Sequence, residues 1–250
     1  MDGIIVLQPP VALRAFAGQL RALRGFGQRP ILSLVWPVED CASIVTDNAG
    51  GTYQAAQHLL AQGHRHLLQF VTEFSDIYDA GYVVHTRLAG LTRALEEAGV
   101  DPASHLHPML LPSNWQDPAN LLLETYRWSP SNLEDVAAHP LVSYLREHPE
   151  ITAVFGCNDA CAIRACFLLR AAGLRVPEDI SIVGFDDTDP LPGPEGANLL
   201  SSVHLPLYEM GRLAAQTIIR LVTAKTWQPE QLMLPTEFIP RASIAPAKTK

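Results

Sequence analysis

The sequence predicts an α/β protein whose strands form doubly wound, mostly parallel sheets shared between two lobes. Three observations carry that reading. Residues 151–187 (ITAVFGCNDACAIRACFLLRAAGLRVPEDISIVGFDD) run strand, helix, strand, in a span with room only for a parallel crossover. Short apolar runs alternate with helical periodicity along almost the whole chain, the signature of parallel sheets covered by helices. The pattern yields about ten strands, many for one twisted sheet, so two lobes are expected.

Each element follows from a local signal. Residues 3–7 (GIIVL) read as a strand, and 11–23 as an amphipathic helix ending near Gly25. Residues 31–35 form a strand stopped by Pro37, and 43–46 a short one. Asp47 or Asn48 caps a helix that reaches about Gln62, with Gly63 in the left-handed position after it. A strand at 67–71, a helix at 86–98 closed by Gly99, and a strand at 106–111 follow. The stretch 112–130 shows only helical character around 119–126, and 133–147 reads as a helix interrupted at Pro140. In the opening unit, the apolar run 151–155 stops at Gly156. Ile163, Phe167, Leu168 and Ala171 share one helical face, Gly173 closes that helix, and Pro177 keeps it from continuing into the run 180–185. A strand at 201–204, a helix at 207–222 and a strand at 232–238 complete the chain.

The Pro/Gly-rich stretch 189–198 (DPLPGPEGAN) reads as a linker and hinge. Residues 45–48 and 223–229 are the other expected crossings, giving a clamp that closes by hinge motion. This assigns 1–46 and 190–224 to the N-terminal lobe, 47–189 and 225–244 to the C-terminal lobe, and 245–250 to a tail.

Composition excludes several classes. The net charge is −8, from 26 acidic against 18 basic residues, and no basic stripe is present, a poor basis for holding nucleic acid. No apolar run approaches a membrane span of roughly 18 residues, and the N-terminus lacks the basic segment and long apolar run of a signal peptide. A cytoplasmic location is expected. Cys157, Cys161 and Cys166 share one helix with C-x3-C-x4-C spacing, which matches no metal motif, and Cys41 stands apart. All four read as buried thiols in a reducing compartment. The His64/His66 and His105/His107 pairs lack a third ligand nearby in sequence, so no metal is expected. Gly25-Phe26-Gly27 precedes a strand and lacks the third glycine of a dinucleotide loop. With no phosphate loop, nucleophile elbow or defensible carboxylate pair, neither a cofactor nor catalytic residues are expected, and the chain reads as a non-enzyme.

Function concentrates at the strand ends. Asn158, Asp159, Asp186 and Asp187 fall just past the carboxyl ends of neighbouring parallel strands, the rim where open α/β sheets bind ligands. Such donors and acceptors suit a polyhydroxylated small molecule. Asp159 reads as a helix N-cap, and Asp47 and Asn48 as a cap and hinge pair. Asp187 reads equally as a turn cap or a ligand contact. Trp36, at a strand end facing the cleft, could stack on a sugar, although a tryptophan there also reads as core or interface.

The segments DGIIVL, DNAGGTYQAAQHLLAQGHRHLLQF, RLAGLTRALEEAG, AVFGCNDACAI, RAAGLRVPEDISIVGFDD and LSSVHLPLYEMGRLAA, closed by Arg241-Ala242-Ser243, resemble the effector-binding domain of LacI/GalR-family bacterial transcription regulators. The resemblance covers nearly the whole chain. It implies the two-lobed fold of periplasmic sugar-binding proteins, a small-molecule effector and a homodimer. It implies Arg87, Asn158 and Asp186 as effector contacts, with Phe155 where an aromatic packs on the effector ring. Family members carry a helix-turn-helix, a hinge and two βα units before the DGII strand. The expectation is therefore an N-terminally truncated chain with an incomplete first lobe, touching DNA only through a missing head. The segment WQDPANLLLETYRWSPSN has no counterpart in that pattern. The rival readings are a sugar solute-binding protein of the same fold, which would carry an export signal, and a degenerate, truncated regulator.

Overall fold

The computed structural model describes residues 2–7, 29–38, 41–71, 80–111, 136–224 and 228–248, with single positions at 19 and 22. The expected helix at 11–23, the Gly25-Phe26-Gly27 stretch and the segment 112–130 lie outside the described residues.

Two sheets account for the strands. The first contains β1 (Ile4–Val6), β2 (Ile31–Leu34), β3 (Ala42–Thr46) and, from late in the chain, β9 (Gln231–Leu234), all parallel in that order. The second holds β4 (His66–Val71), β5 (Leu106–Leu110), β6 (Ile151–Gly156), β7 (Ser181–Asp186), β8 (Ser201–His204) and β10 (Glu237–Ile239). Its order is β10-β8-β7-β6-β4-β5, parallel except for β10 on β8.

Alternation along the central strands separates the two faces of the second sheet. Leu67, Ala153, Phe155, Val183 and Phe185 point to one face, covered by α1 (Asn48–Ala61) and α2 (Ala80–Glu97) through Ala55, Leu59, Leu91 and Leu95. Leu68, Phe70, Val154 and Ile182 point to the other, covered by α4 (Pro140–Glu147) and α5 (Asp159–Ala171). A one-turn α3 (Pro102–His105), capped by Asp101, leads into β5. On the first sheet, α6 (Leu207–Thr223) lays Met210, Ala214 and Leu221 on Leu32, Leu34 and Ile44. Close approach of α1 to α2 requires Gly90, because a Cβ there would meet the Thr52 hydroxyl at 2.0 Å and the Ala49 carbonyl oxygen at 2.2 Å. No described helix is long and apolar enough to cross a membrane.

Two strand assignments and two expected crossings change. Residues 201–204 were expected in the first lobe, but β8 pairs with β7 in the second sheet. The run 232–238 was expected to be one strand of the C-terminal lobe. Pro235 cannot donate to a ladder, and the chain divides there into β9, paired with β3, and β10, paired with β8. The stretch 189–198 is not a crossing. Leu191 and Leu200 amides both donate to Asn198 Oδ1 (3.0 and 2.9 Å), and Gly193 bonds Ala197, so it is a pinned loop between neighbouring strands of one sheet. Nor does 223–229 cross, because α6 and β9 both belong to the first sheet's layer.

The crossings fall at Asp47, as expected at one end of 45–48, and at Leu205-Pro206 and Pro235-Thr236. Each leaves a strand of one sheet at its carboxyl end and within a few residues enters an element packed on the other. Since a residue spans at most about 3.6 Å, the carboxyl rims of the two sheets must lie close together. Two of the links are cross-tied: Asp47 N donates to Leu234 O (2.9 Å) and Thr236 Oγ1 to Asp47 O (2.9 Å).

Candidate functional site

The carboxyl rim of the second sheet gathers Arg87, Asn158 and Asp186. Arg87 comes from the middle of α2 and is 6% exposed. Its Nε donates to Asn48 Oδ1 at 3.0 Å, one terminal nitrogen donates to the Cys157 carbonyl, and the other reaches Asp186 Oδ1 at 3.3 Å. The guanidinium lies 3.5 Å from the centroid of the Phe185 ring. A planar fork with five N–H donors is suited to bridging such spread acceptors. Three of the five are used by these bonds.

Asp186 ends β7 in an unusual backbone state. Its φ is 108° and that of Asp187 is 57°, two consecutive non-glycine residues in a region that favours glycine. The strain is held by the carboxyl-terminal segment. Arg241 clasps both Asp187 carboxylate oxygens (2.7 and 3.2 Å) and donates to Leu200 O (2.7 Å). Ser243 Oγ donates to Ile182 O (2.6 Å) while accepting from Ser201 N (2.8 Å). The R-x-S motif is thus a clamp across β7 and β8. Asp187 takes part in that clamp and lies 3.3 Å from His204, which favours the structural of its two readings. Asp186 keeps 28% of its side-chain surface open. The surrounding protein still pushes its carboxyl above the ordinary range, with Arg87 pulling the other way.

Asn158, and not Asp159, is the N-cap of α5: its Oδ1 accepts from Cys161 N at 2.8 Å. The cap fixes the side chain at the strand end through its Oδ1. Asp159 is buried and ties the loop after β7, accepting from Ser202 Oγ (2.5 Å), Thr188 N (2.8 Å) and Asp189 N (3.2 Å). Asp47 caps α1 through Gly50 N (2.8 Å), and Asn48 serves as the seat of Arg87, an expected cap and hinge pair with one added duty.

Both aromatic assignments fall on buried rings. Phe155 is 1% exposed and packs with Leu59, Leu91 and Phe185 under α1 and α2. Strand alternation sends it to the same face as Ala153, into the core, so its ring offers no open face to an effector. Trp36 sits two residues past the carboxyl end of β2, after Val35, a β-branched residue at φ 76°. Its ring is 4% exposed, and its Nε1 is buried without a hydrogen-bond partner among the described residues. No described contact joins it to Arg87, Asn158 or Asp186. Sequence reasoning missed Asn48, Phe185 and the Cys157 carbonyl as supports of Arg87. The D-N-x-G-G and G-F-D-D segments were visible, but which partner each would meet across the sheet was not.

Burial pushes the Asp159 carboxyl up to about 6, against the pull of Ser202 and the Asp189 and Thr188 amides. A carboxyl raised from 3.8 favours the fold when protonated. Its contribution is complete below the unfolded value and is lost as pH rises through about 6. Two units correspond to about 3 kcal/mol at most. Relative to D159N, the native protein should therefore lose stability as pH is raised across that window, which urea unfolding of both proteins measures. A difference independent of pH would refute this.

The four cysteines are buried and form no disulfide, and none joins a metal-ligand group among the described residues. The histidines contradict the expectation that no third ligand is near. His64 is spent on Thr152 Oγ1 (2.7 Å) and Ala245 O (3.0 Å), but His66 and His107 meet Glu150, with ligand atoms within 4.8 Å of one another.

Comparison with known proteins agrees with this architecture. Residues 56–244 match the family model of the periplasmic binding protein-like domain. The chain is 30% identical over 206 residues to the HTH-type transcriptional regulator DegA of Bacillus subtilis and 31% identical over 218 residues to CelR of Thermobifida fusca. These alignments cover 82% and 87% of the chain but only 53% and 55% of the relatives, so the chain spans about half their length. It is 27% identical to the structure of a CelR–cellobiose complex, with a TM-score of 0.69, covering 97% of this chain and 66% of that one. A LacI-family regulator from Enterococcus faecium with bound ribose, at 24% identity and TM-score 0.69, shares the fold.

Proposed function

From a chain that belongs to the periplasmic binding protein-like family, as carried by LacI-family transcription regulators, we propose a small-molecule sensing domain of such a regulator. The effector is a sugar or related polar metabolite, bound between the carboxyl rims of the two sheets. Arg87, Asn158 and Asp186 hydrogen-bond it, while Trp36, with its ring and Nε1 buried, is left out of the contact set. The chain is not an enzyme, works in the cytoplasm as a homodimer, and reaches DNA only through a head outside this sequence. Closure about the three crossings shifts the dimer between two arrangements that such a head reads.

The observation that carries this reading is Asp186: a carboxylate at a strained strand end, braced by Arg87 and by the Arg241 clamp, with part of its surface still open. Rigid first contacts on a braced rim are what selective binding of hydroxyls requires. That CelR is described in complex with cellobiose supports a sugar as the ligand class. That the relatives are HTH-type transcriptional regulators favours this reading over a solute-binding protein of the same fold.

Thermal unfolding and titration calorimetry with cellobiose and a panel of mono- and disaccharides test the proposal. A binding sugar at about a hundredfold excess over its Kd should stabilise the protein by roughly 2.7 kcal/mol. Absence of a shift across the panel, with the protein folded, would remove sugars as the ligand class.

A further inference from the structure

The amino ends of the second sheet hold a cluster that the cleft does not use. His66 opens β4, His107 is the second residue of β5, and Glu150 immediately precedes β6. Because β4 lies between β5 and β6, the sheet brings all three to one edge. His107 pairs in register with Leu68, so both histidines fall on the face covered by α4. There the helix supplies Tyr144 and, at its C-cap, His148. His66 stacks on His105 (ring centroids 4.3 Å apart), and His107 lies 5.7 Å from His148. The negative end of the α4 dipole faces the same group.

We propose that His66, His107 and Glu150 form a binding site for a divalent cation of the zinc class, at the pole of the second lobe opposite the effector cleft. One ring nitrogen from each histidine and one Glu150 oxygen already lie within 4.8 Å of one another. Ligands on zinc stand about 2.0–2.2 Å from the ion, so small side-chain rotations complete the set. Two imidazoles and one carboxylate are donors that zinc accepts, with water or His148 in the fourth position.

The hydrogen bonds prepare His107 for this role. Its Nδ1 is 3.1 Å from the Tyr144 hydroxyl, while Nε2 is buried with no hydrogen-bond partner among the described residues. An N–H at Nδ1 donating to Tyr144 leaves the Nε2 lone pair free for a metal, the arrangement that outer hydrogen bonds impose on metal-bound histidines. A buried acceptor with no donor is otherwise a cost to the fold. His148 Nδ1 lies 3.0 Å from Glu150 Oε1 and orients that carboxylate.

The test uses protein without an affinity tag, stripped with EDTA, exchanged into chelator-free buffer and titrated with zinc chloride by calorimetry. The expected result is one equivalent bound. Zinc at about a hundredfold excess over its Kd should raise the melting temperature by roughly 5–10 °C, reversed by EDTA. H107Q and E150Q should each weaken binding by roughly 10-fold or more, and H85Q, on the exposed surface of α2, should leave it unchanged. Cobalt(II) in place of zinc should show visible bands without thiolate charge transfer, separating this site from the cysteines. Near-ultraviolet circular dichroism checks that each variant is folded. No uptake by the native protein, or uptake unaltered in both H107Q and E150Q, would overturn the proposal.

Discussion

Alanine at Arg87 is expected to cost about 3–5 kcal/mol of stability at neutral pH, the penalty for breaking a buried ion pair from one side. The guanidinium is the only described group that joins α1, α2 and the ends of β6 and β7 in one hydrogen-bonded set, through Asn48, Cys157 O and Asp186. Its removal strands two acceptors and a carboxylate and uncovers the face of Phe185. The deficit should depend on pH in a defined direction. Asp186 is already raised by burial while Arg87 pulls it down. Without Arg87 it rises further, so the carboxyl is neutral and tolerated in acid and becomes costly as pH climbs through its folded value. The loss in R87A should therefore be smallest in acid and grow toward neutrality. The double variant R87A/D186N should be more stable at neutral pH than the sum of the single losses predicts. Urea unfolding of the four proteins at several pH values decides. A loss below about 1 kcal/mol would mean that Arg87 is a rim group and not a strut.

The alternation of strands and helices was legible because each central strand is bounded by its own signals, such as Gly156 and Asn158 after β6 or Pro177 before β7. Membership in a sheet was less legible. β8 (SSVH) and β9 (QLML) are short and carry no signal of which sheet they join, and only pairing across the crossings assigns them. The rim residues could be placed because a position past a strand's carboxyl end is a one-dimensional property. Phe155 failed because the face it takes depends on alternation against neighbours, which one residue earlier or later would reverse. The His66–His107–Glu150 group illustrates the same limit. Sequence spacing separates these residues widely, and three parallel strands side by side bring their amino ends together.

Asp186 to asparagine is expected to weaken effector binding on the order of 10- to 150-fold with little loss of stability, the reverse of the Arg87 result. Asp186 Oδ1 accepts from Arg87, and Oδ2 has no described partner, on a side chain that keeps part of its surface open. That oxygen is an acceptor held ready for a ligand hydroxyl by a braced backbone, so little ordering remains to be done when the ligand arrives. A hydrogen bond to a charged group contributes about 1.5–3 kcal/mol, which converts to the stated range. Asparagine keeps the shape. Facing Arg87, its oxygen must turn toward the guanidinium, which turns the amide toward the ligand and replaces an acceptor with a donor. A sugar hydroxyl that donated to Asp186 then loses its partner. Stability should hold, because neutralising a carboxyl already raised by burial removes a desolvation cost along with the ion pair. Calorimetric titration of D186N with the tightest-binding sugar of the panel, beside its urea unfolding curve, separates the two effects. Unchanged affinity would place the effector away from Asp186. Affinity and stability falling together would make Asp186 a structural partner of Arg87 and nothing more.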